Sequence, residues 1–149
     1  MRIAIAADHN GVVLKRLLVD WLTAHGHDVD DRGAADPHEV VDYPPLCVDV
    51  CRQVVPGPAD RGIVLGGSGM GEVIACNKVR GIRAGLCWDL WTTSISRGNN
   101  DSNVLVLPAK VMDPELAVQV LSAWLDTPFK GGVHQARLDQ IAVLDRSQA

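Results

Sequence analysis

The sequence predicts a three-layer α/β/α fold around a five-stranded parallel sheet, and two observations carry that reading. Short β-branched runs alternate with longer amphipathic stretches along the 149 residues, which is the pattern of repeated βαβ units. The stretches between runs are long enough to be crossovers, which parallel strands require, and the right-handed rule then places helices on both faces. A chain of this length fits one domain, residues 1–149, around one core.

The elements follow in order. Arg2–Ala7 reads as the first strand and Val12–His25 as the first helix, followed by a second strand over Asp28–Arg32. Gly33–Tyr43 is long and polar enough to be a loop near a site. Pro45–Val54 is the next helix, Gly62–Leu65 the third strand, and Gly71–Lys78 a helix after a glycine-rich turn. Arg83–Cys87 and Asn103–Leu107 complete the strands, with helices over Leu90–Arg97, Pro114–Leu125 and His134–Leu144. No internal repeat, low-complexity tract or linker interrupts this Rossmann-like pattern, which leaves the strand order open.

Bulk properties narrow the function. A net charge of -4 and a pI near 5.6 argue against nucleic-acid or anionic-membrane partners, because either needs a basic patch. No apolar run reaches the roughly 18 residues of a membrane span. The four cysteines, Cys47, Cys51, Cys76 and Cys87, form no secreted-type framework, and no apolar leader segment precedes the first strand, so a reducing cytoplasm is expected. Cys47 and Cys51 have no second Cys/His pair at ligand spacing, so they are expected as buried apolar side chains rather than metal ligands. The remaining partner class is a small molecule.

In open α/β sheets, ligands bind outside the carboxyl ends of the strands. Four segments fall there: Asp8-His9-Asn10-Gly11, Gly66-Gly67-Ser68-Gly69-Met70-Gly71-Glu72, Trp88-Asp89 and Pro108-Ala109-Lys110. The second has four glycines within the six residues from Gly66 to Gly71, which lets the backbone approach a ligand closely, and free N–H groups at the following helix attract anionic oxygen. Three readings compete. A dinucleotide fingerprint would need G-x-G-x-x-G after the first strand, and a P-loop would need a terminal Lys-Ser/Thr. The third is an oxyanion hole beside a catalytic group. Glu72 gives that one weight: a carboxylate facing backbone N–H groups is what removal of a proton α to a carbonyl requires, although the helix dipole alone also favours a solvated Glu there.

At these residues the sequence resembles the ribose-5-phosphate isomerase type B and galactose-6-phosphate isomerase family, from Arg2 to about Leu144. The likeness is carried by Asp8-His9, Asp42-Tyr43-Pro44, Gly67 to Gly71 continuing to Ala75-Cys76-Asn77-Lys78, Gly81-Ile82-Arg83-Ala84, Asn100-Asp101-Ser102-Asn103, and His134 with Arg137. Family members place their base either as a cysteine before the glycine turn or as a glutamate after it. Here those positions hold Gly66 and Glu72, which is similar to the glutamate branch. The resemblance implies Glu72 as base and Ser68 as its helper. It further implies an oxyanion hole from the N–H groups of Gly67, Gly69, Met70 and Gly71, sugar contacts from Asp8, His9, Tyr43 and Asn100, and neither metal nor organic cofactor. A homodimer with shared active sites, or a tetramer, is implied as well. Simpler roles stand beside two of these, a helix cap for Asp8 and a turn anchor for Tyr43.

Two departures bear on the substrate. The family credits ring opening to a histidine where this chain has Asn99, and an amide does not exchange protons near neutral pH. A four-carbon 4-phosphate has the oxygen needed for ring closure esterified, so Asn99 fits an acyclic substrate such as erythrulose 4-phosphate, with ribose 5-phosphate as the alternative. The family binds phosphate with arginines in an Arg-His-x-x-Arg segment and one after the fifth strand; here Val133 stands for one and Lys110, which lacks the bidentate fork, for another, so the resemblance implies phosphate binding by Lys110, Arg137 and His134. Two other functional classes are tested by the same residues. A non-catalytic ligand-binding module would ignore Glu72→Gln, and a receiver domain needs an aspartate where Gly66 stands. Trp88 and Trp91 are left open between pocket wall and interface.

Overall fold

The computed structural model describes residues 1–147. Its sheet has five parallel strands, β1 (Arg2–Ala7), β2 (Asp28–Asp31), β3 (Arg61–Gly66), β4 (Ala84–Leu86) and β5 (Val104–Pro108), in the order β2-β1-β3-β5-β4. The helices are α1 (Val12–Ala24), α2 (Tyr43–Val54), α3 (Met70–Cys76), α4 (Leu90–Gly98), α5 (Pro114–Asp126) and α6 (Val133–Ser147). A 3-10 turn, His9–Gly11, joins β1 to α1.

Period-two alternation explains the layering. Ile3, Ile5 and Ala7 of β1, Ile63 and Leu65 of β3, and Leu105 and Leu107 of β5 face one way and pack with Leu18, Leu22, Leu121 and Trp124 from α1 and α5. The residues between them, Ala4, Ala6, Val64, Val104 and Val106, face the other way onto Cys47, Val50 and Cys51 of α2 and Cys76 of α3. All four cysteines are buried and free. Among the described residues, no group of three or more metal-ligating side chains occurs, and no helix is long and apolar enough to cross a membrane.

The helix α2 begins two residues earlier than the sequence suggests. The expectation started it at Pro45 because residues preceding a proline avoid the α region; the structure instead places the prolines in the first turn, where their missing N–H costs nothing, and Tyr43 opens the helix. The strand order, which local pattern leaves open, sets where the sheet's switch point lies. The chain moves outward from β1 to β2 and then returns to the other side of β1 for β3, so the sheet's switch point lies between β1 and β3. The segments after those two strands are Asp8 to Gly11 and the glycine turn.

Candidate active site

The glycine turn leaves β3 at Gly66 and enters α3 through Gly69, whose φ of +75° is a left-handed conformation that a side chain would strain. The ladder continues past the strands, because Ala109 N–H donates to the Gly66 carbonyl at 2.8 Å and Lys110 N–H to the Gly67 carbonyl at 3.0 Å. That extension carries Lys110 to the turn, where its stem lies over the open face of Gly67. Among the described residues, the N–H groups of Gly67, Ser68 and Gly69 have no protein acceptor, whereas Met70 N–H donates back to the Ser68 hydroxyl oxygen at 3.2 Å. Ser68 thus accepts through its oxygen and keeps its proton available.

Glu72 lies in the first turn of α3 and is only 4% exposed. Its carboxylate folds back onto the start of the turn and fills the space in which a Cβ on Gly66 would have to sit. Burial pushes its proton affinity up; its own backbone N–H opposes this, and the nearby Asp8 adds to the rise. A carboxylate made more basic than usual beside unpartnered N–H donors has the makings of a proton-transfer site.

Asp8 is 6% exposed. It caps the 3-10 turn by accepting Asn10 N–H on Oδ1 at 2.9 Å, and its Oδ2 accepts the Asn10 side-chain amide, also at 2.9 Å. The cap role and a place beside Glu72 therefore coexist in one residue. Tyr43 lies against Gly71, so closely that a Cβ there would strike its ring and hydroxyl. His9 accepts Val41 N–H on Nδ1 at 3.4 Å, bringing the long polar loop against the same end of the sheet. Asp8, His9, Tyr43, Ser68, Glu72 and Lys110 are thus gathered at the carboxyl ends of β1, β3 and β5.

Asn99 and Asn100 are elsewhere in the same chain, and so is the entry to α6, the helix that carries His134 and Arg137. The helix α4 runs from the carboxyl end of β4 back to the amino end of β5, and Asn99 is its C-terminal cap. Arg83, just before β4, donates through Nε to the Asn100 carbonyl at 3.1 Å, and Asn103 N–H donates to the Arg83 carbonyl at 3.0 Å. The segment leading into α6 is tied to the same place, with Lys130 N–H on the Gly98 carbonyl at 2.9 Å and Lys130 Nζ on Asn99 Oδ1 at 2.9 Å. One chain therefore carries two separated groups at opposite ends of its sheet. Trp88 and Trp91 are 53% and 71% exposed, so neither is buried by its own chain.

Sequence reasoning passed over two residues, Asn10 and Lys130. Asn10 sits inside the Asp8-His9 motif, yet nothing local says that its amide turns back onto Asp8. Lys130 lies outside every motif, and its contact with Asn99 spans 31 positions of the chain.

Comparison with known proteins adds to this geometry. The family model described as ribose/galactose isomerase matches residues 3–141. Ribose-5-phosphate isomerase B of Escherichia coli is 38% identical over 145 residues, covering 97% of each chain. D-erythrulose-4-phosphate isomerase of Pectobacterium atrosepticum is 34% identical over 148 residues, covering 99% of this chain and 97% of its own. Among solved structures, ribose-5-phosphate isomerase B of Clostridium thermocellum matches with a TM-score of 0.97 at 40% identity, over 100% of both chains.

Proposed function

The chain belongs to the ribose/galactose isomerase family, and on that premise we propose that Glu72 is the base of an aldose–ketose isomerisation whose substrate is an acyclic four-carbon sugar phosphate. The coarser activity, a sugar-phosphate isomerase interconverting aldose and ketose, is common to the relatives. One observation carries the assignment of the base: a buried carboxylate with raised proton affinity beside the unpartnered N–H groups of the glycine turn.

The chemistry is a redistribution of one proton. Glu72 removes the proton from the carbon next to the carbonyl, and the C–H electrons become the carbon–carbon double bond of a cis-enediolate. The carbonyl oxygen takes the negative charge, which the unpartnered N–H groups of Gly67, Ser68 and Gly69 stabilise; Met70 N–H, expected among these donors, is instead held by the Ser68 hydroxyl oxygen. Ser68 passes a proton between the two oxygens, and the protonated Glu72 returns its proton to the neighbouring carbon. The hydrogen lost at one carbon is gained at the next, so no external oxidant or reductant takes part. Asp8, His9 and Tyr43 hold sugar hydroxyls and Lys110 an anionic end.

The second group of residues enters through self-association. In this reading a second copy brings Asn99, Asn100, His134 and Arg137 to the first copy's Glu72. The separation of the two groups supports it, and so does α6, which exposes Val133, Ile141, Val143 and Leu144 between 44% and 61%. Asn99 supports a substrate that needs no ring opening, as does the 34% identical erythrulose-phosphate enzyme. The 38% identical ribose-phosphate enzyme favours the pentose as the second reading.

The deciding experiment measures kcat/KM for erythrulose 4-phosphate, ribose 5-phosphate and a hexose 6-phosphate, with Glu72→Gln as the control. Preference for the tetrulose phosphate, lost in the variant, is expected. A kcat/KM on ribose 5-phosphate equal to or above that on erythrulose 4-phosphate would sink the substrate assignment. Full activity in Glu72→Gln would remove Glu72 as the base, and no activity of the unmodified protein on any of the three substrates would leave a binding module.

A further inference from the structure

We propose that Asn10 is a positioning residue that keeps the Asp8 carboxylate and the Lys110 ammonium apart, and so holds Lys110 free for an anionic group of the substrate. The inference rests on the sugar-phosphate reading above and assigns a residue which that reading does not use.

Asp8 is nearly enclosed, at 6% exposure, and its two oxygens are taken in different ways. The Oδ1 contact comes from the Asn10 backbone N–H at 2.9 Å, which nearly any residue supplies. The Oδ2 contact comes from the Asn10 side-chain Nδ2 at 2.9 Å, which an aliphatic or acidic side chain cannot supply. The same amide reaches the glycine turn. Its carbon lies 3.6 Å from where a Cβ on Gly67 would stand, on the face where Cδ and Cε of Lys110 lie 3.3 and 3.5 Å from that point. Asn10 therefore holds Asp8 on one side and shares the open face of Gly67 with the Lys110 stem on the other.

A flexible lysine beside a buried carboxylate ordinarily pairs with it, since each charge is the other's best partner. Here, among the described residues, Asp8 and Lys110 form no ion pair within 4.0 Å. A neutral amide is suited to preventing that pairing. It satisfies Oδ2 without cancelling the carboxylate's charge, so Asp8 remains an acceptor for hydroxyls and Lys110 remains an uncompensated cation. The groove on the other side of Asn10 is lined by Val13, Leu14, Leu17, Ala109, Met112 and Pro114, which offer no charged or amide side chain to take its place. With the amide removed, Lys110 becomes the donor that turns onto Asp8, and both groups are lost to the substrate together.

Inorganic phosphate serves as the probe, titrated calorimetrically into the intact protein and its Asn10→Ala, Asn10→Leu and Lys110→Met variants, with a crystal structure of Asn10→Ala as the direct readout. Asn10→Ala should weaken phosphate binding about tenfold, and Asn10→Leu less, because it keeps the bulk between the two charges. In steady-state kinetics, Asn10→Ala should raise KM for the sugar phosphate while kcat changes little. In the Lys110→Met background, Asn10→Ala should have no further effect, and in the Asn10→Ala crystal Lys110 Nζ should lie within salt-bridge distance of Asp8. Unchanged phosphate affinity in Asn10→Ala, an equal loss in both backgrounds, or a Lys110 still turned away from Asp8 overturns the proposal. Inactivity of the unmodified protein on every sugar phosphate defeats the functional reading instead, while the phosphate titration and the crystal still judge Asn10.

Discussion

The carboxylate of Glu72 occupies the space that a side chain on Gly66 would need, although the two residues lie at opposite ends of the glycine turn. Glycine at 66 is thus a condition for the base to reach its place. Replacing Gly66 by alanine should push the carboxylate out while leaving β3 paired. We expect kcat to fall by about 10²–10³, the scale seen when one aligned catalytic group is lost, with a smaller change in KM. Steady-state kinetics and the melting temperature together separate displacement of Glu72 from loss of the fold.

Burial and Asp8 both raise the proton affinity of Glu72, and this has two consequences with opposite readouts. Since the base must be ionised, the acid limb of the kcat/KM profile should lie above the ordinary carboxylate range. Because the folded state binds this proton more tightly than the unfolded chain, stability contributed by the protonated form is lost as pH rises through the window between the two affinities. Above that window Glu72→Gln should melt higher than the parent, and well below it the two should converge. Melting curves from pH 4 to pH 8 check this, and a variant that melts lower at neutral pH would contradict it.

Gly71 and Tyr43 touch, so Gly71→Ala should drive the tyrosine ring away from the site. If Tyr43 holds a sugar hydroxyl, the cost falls mainly on KM, by about tenfold for one lost hydrogen bond to a buried group. Tyr43→Phe should reproduce that part of the defect which is due to the hydroxyl alone.

Asp101 adopts a φ of 45° while its carboxylate bridges Arg97, at 2.8 Å, and Arg83, at 3.1 Å. This holds the Asn99-Asn100 turn in place. Asp101→Ala removes both ion pairs and leaves the largely buried Arg97 without its carboxylate, so a loss of about 1–3 kcal/mol in stability is expected by chemical denaturation. Asp101→Asn tolerates the same backbone and should lose less.

Lys130 donates to the amide oxygen of Asn99. Asn99→His would place an imidazole beside that ammonium, which disfavours its charged form and leaves it as a neutral proton acceptor. The variant should gain activity on cyclising sugars and gain none on erythrulose 4-phosphate. Equal gains on both would separate Asn99 from ring opening.

Strand β1 was legible in full, because the apolar run from Ile3 to Ala7, bounded by Arg2 and by a turn, is too short for a buried helix. The glycine turn and Glu72 were legible because they are contiguous, so their chemistry is written in their order. The start of α2 was missed because Pro44 and Pro45 suit a first turn as well as they suit a boundary, and only the tertiary setting of Tyr43 chose between them. Asn10 was passed over because its meaning lies in the direction of its amide.

The sequence by itself determined the layered α/β architecture, the strand-end positions of the candidate residues and the glutamate after the turn, since each follows from spacing along the chain. Only the tertiary structure decided the strand order that opens a crevice between β1 and β3, the fit of Glu72 into the space at Gly66, and the placement of Asn99 and α6 at the far end of the sheet. Those depend on register and side-chain direction between residues distant in the chain, which local pattern does not encode.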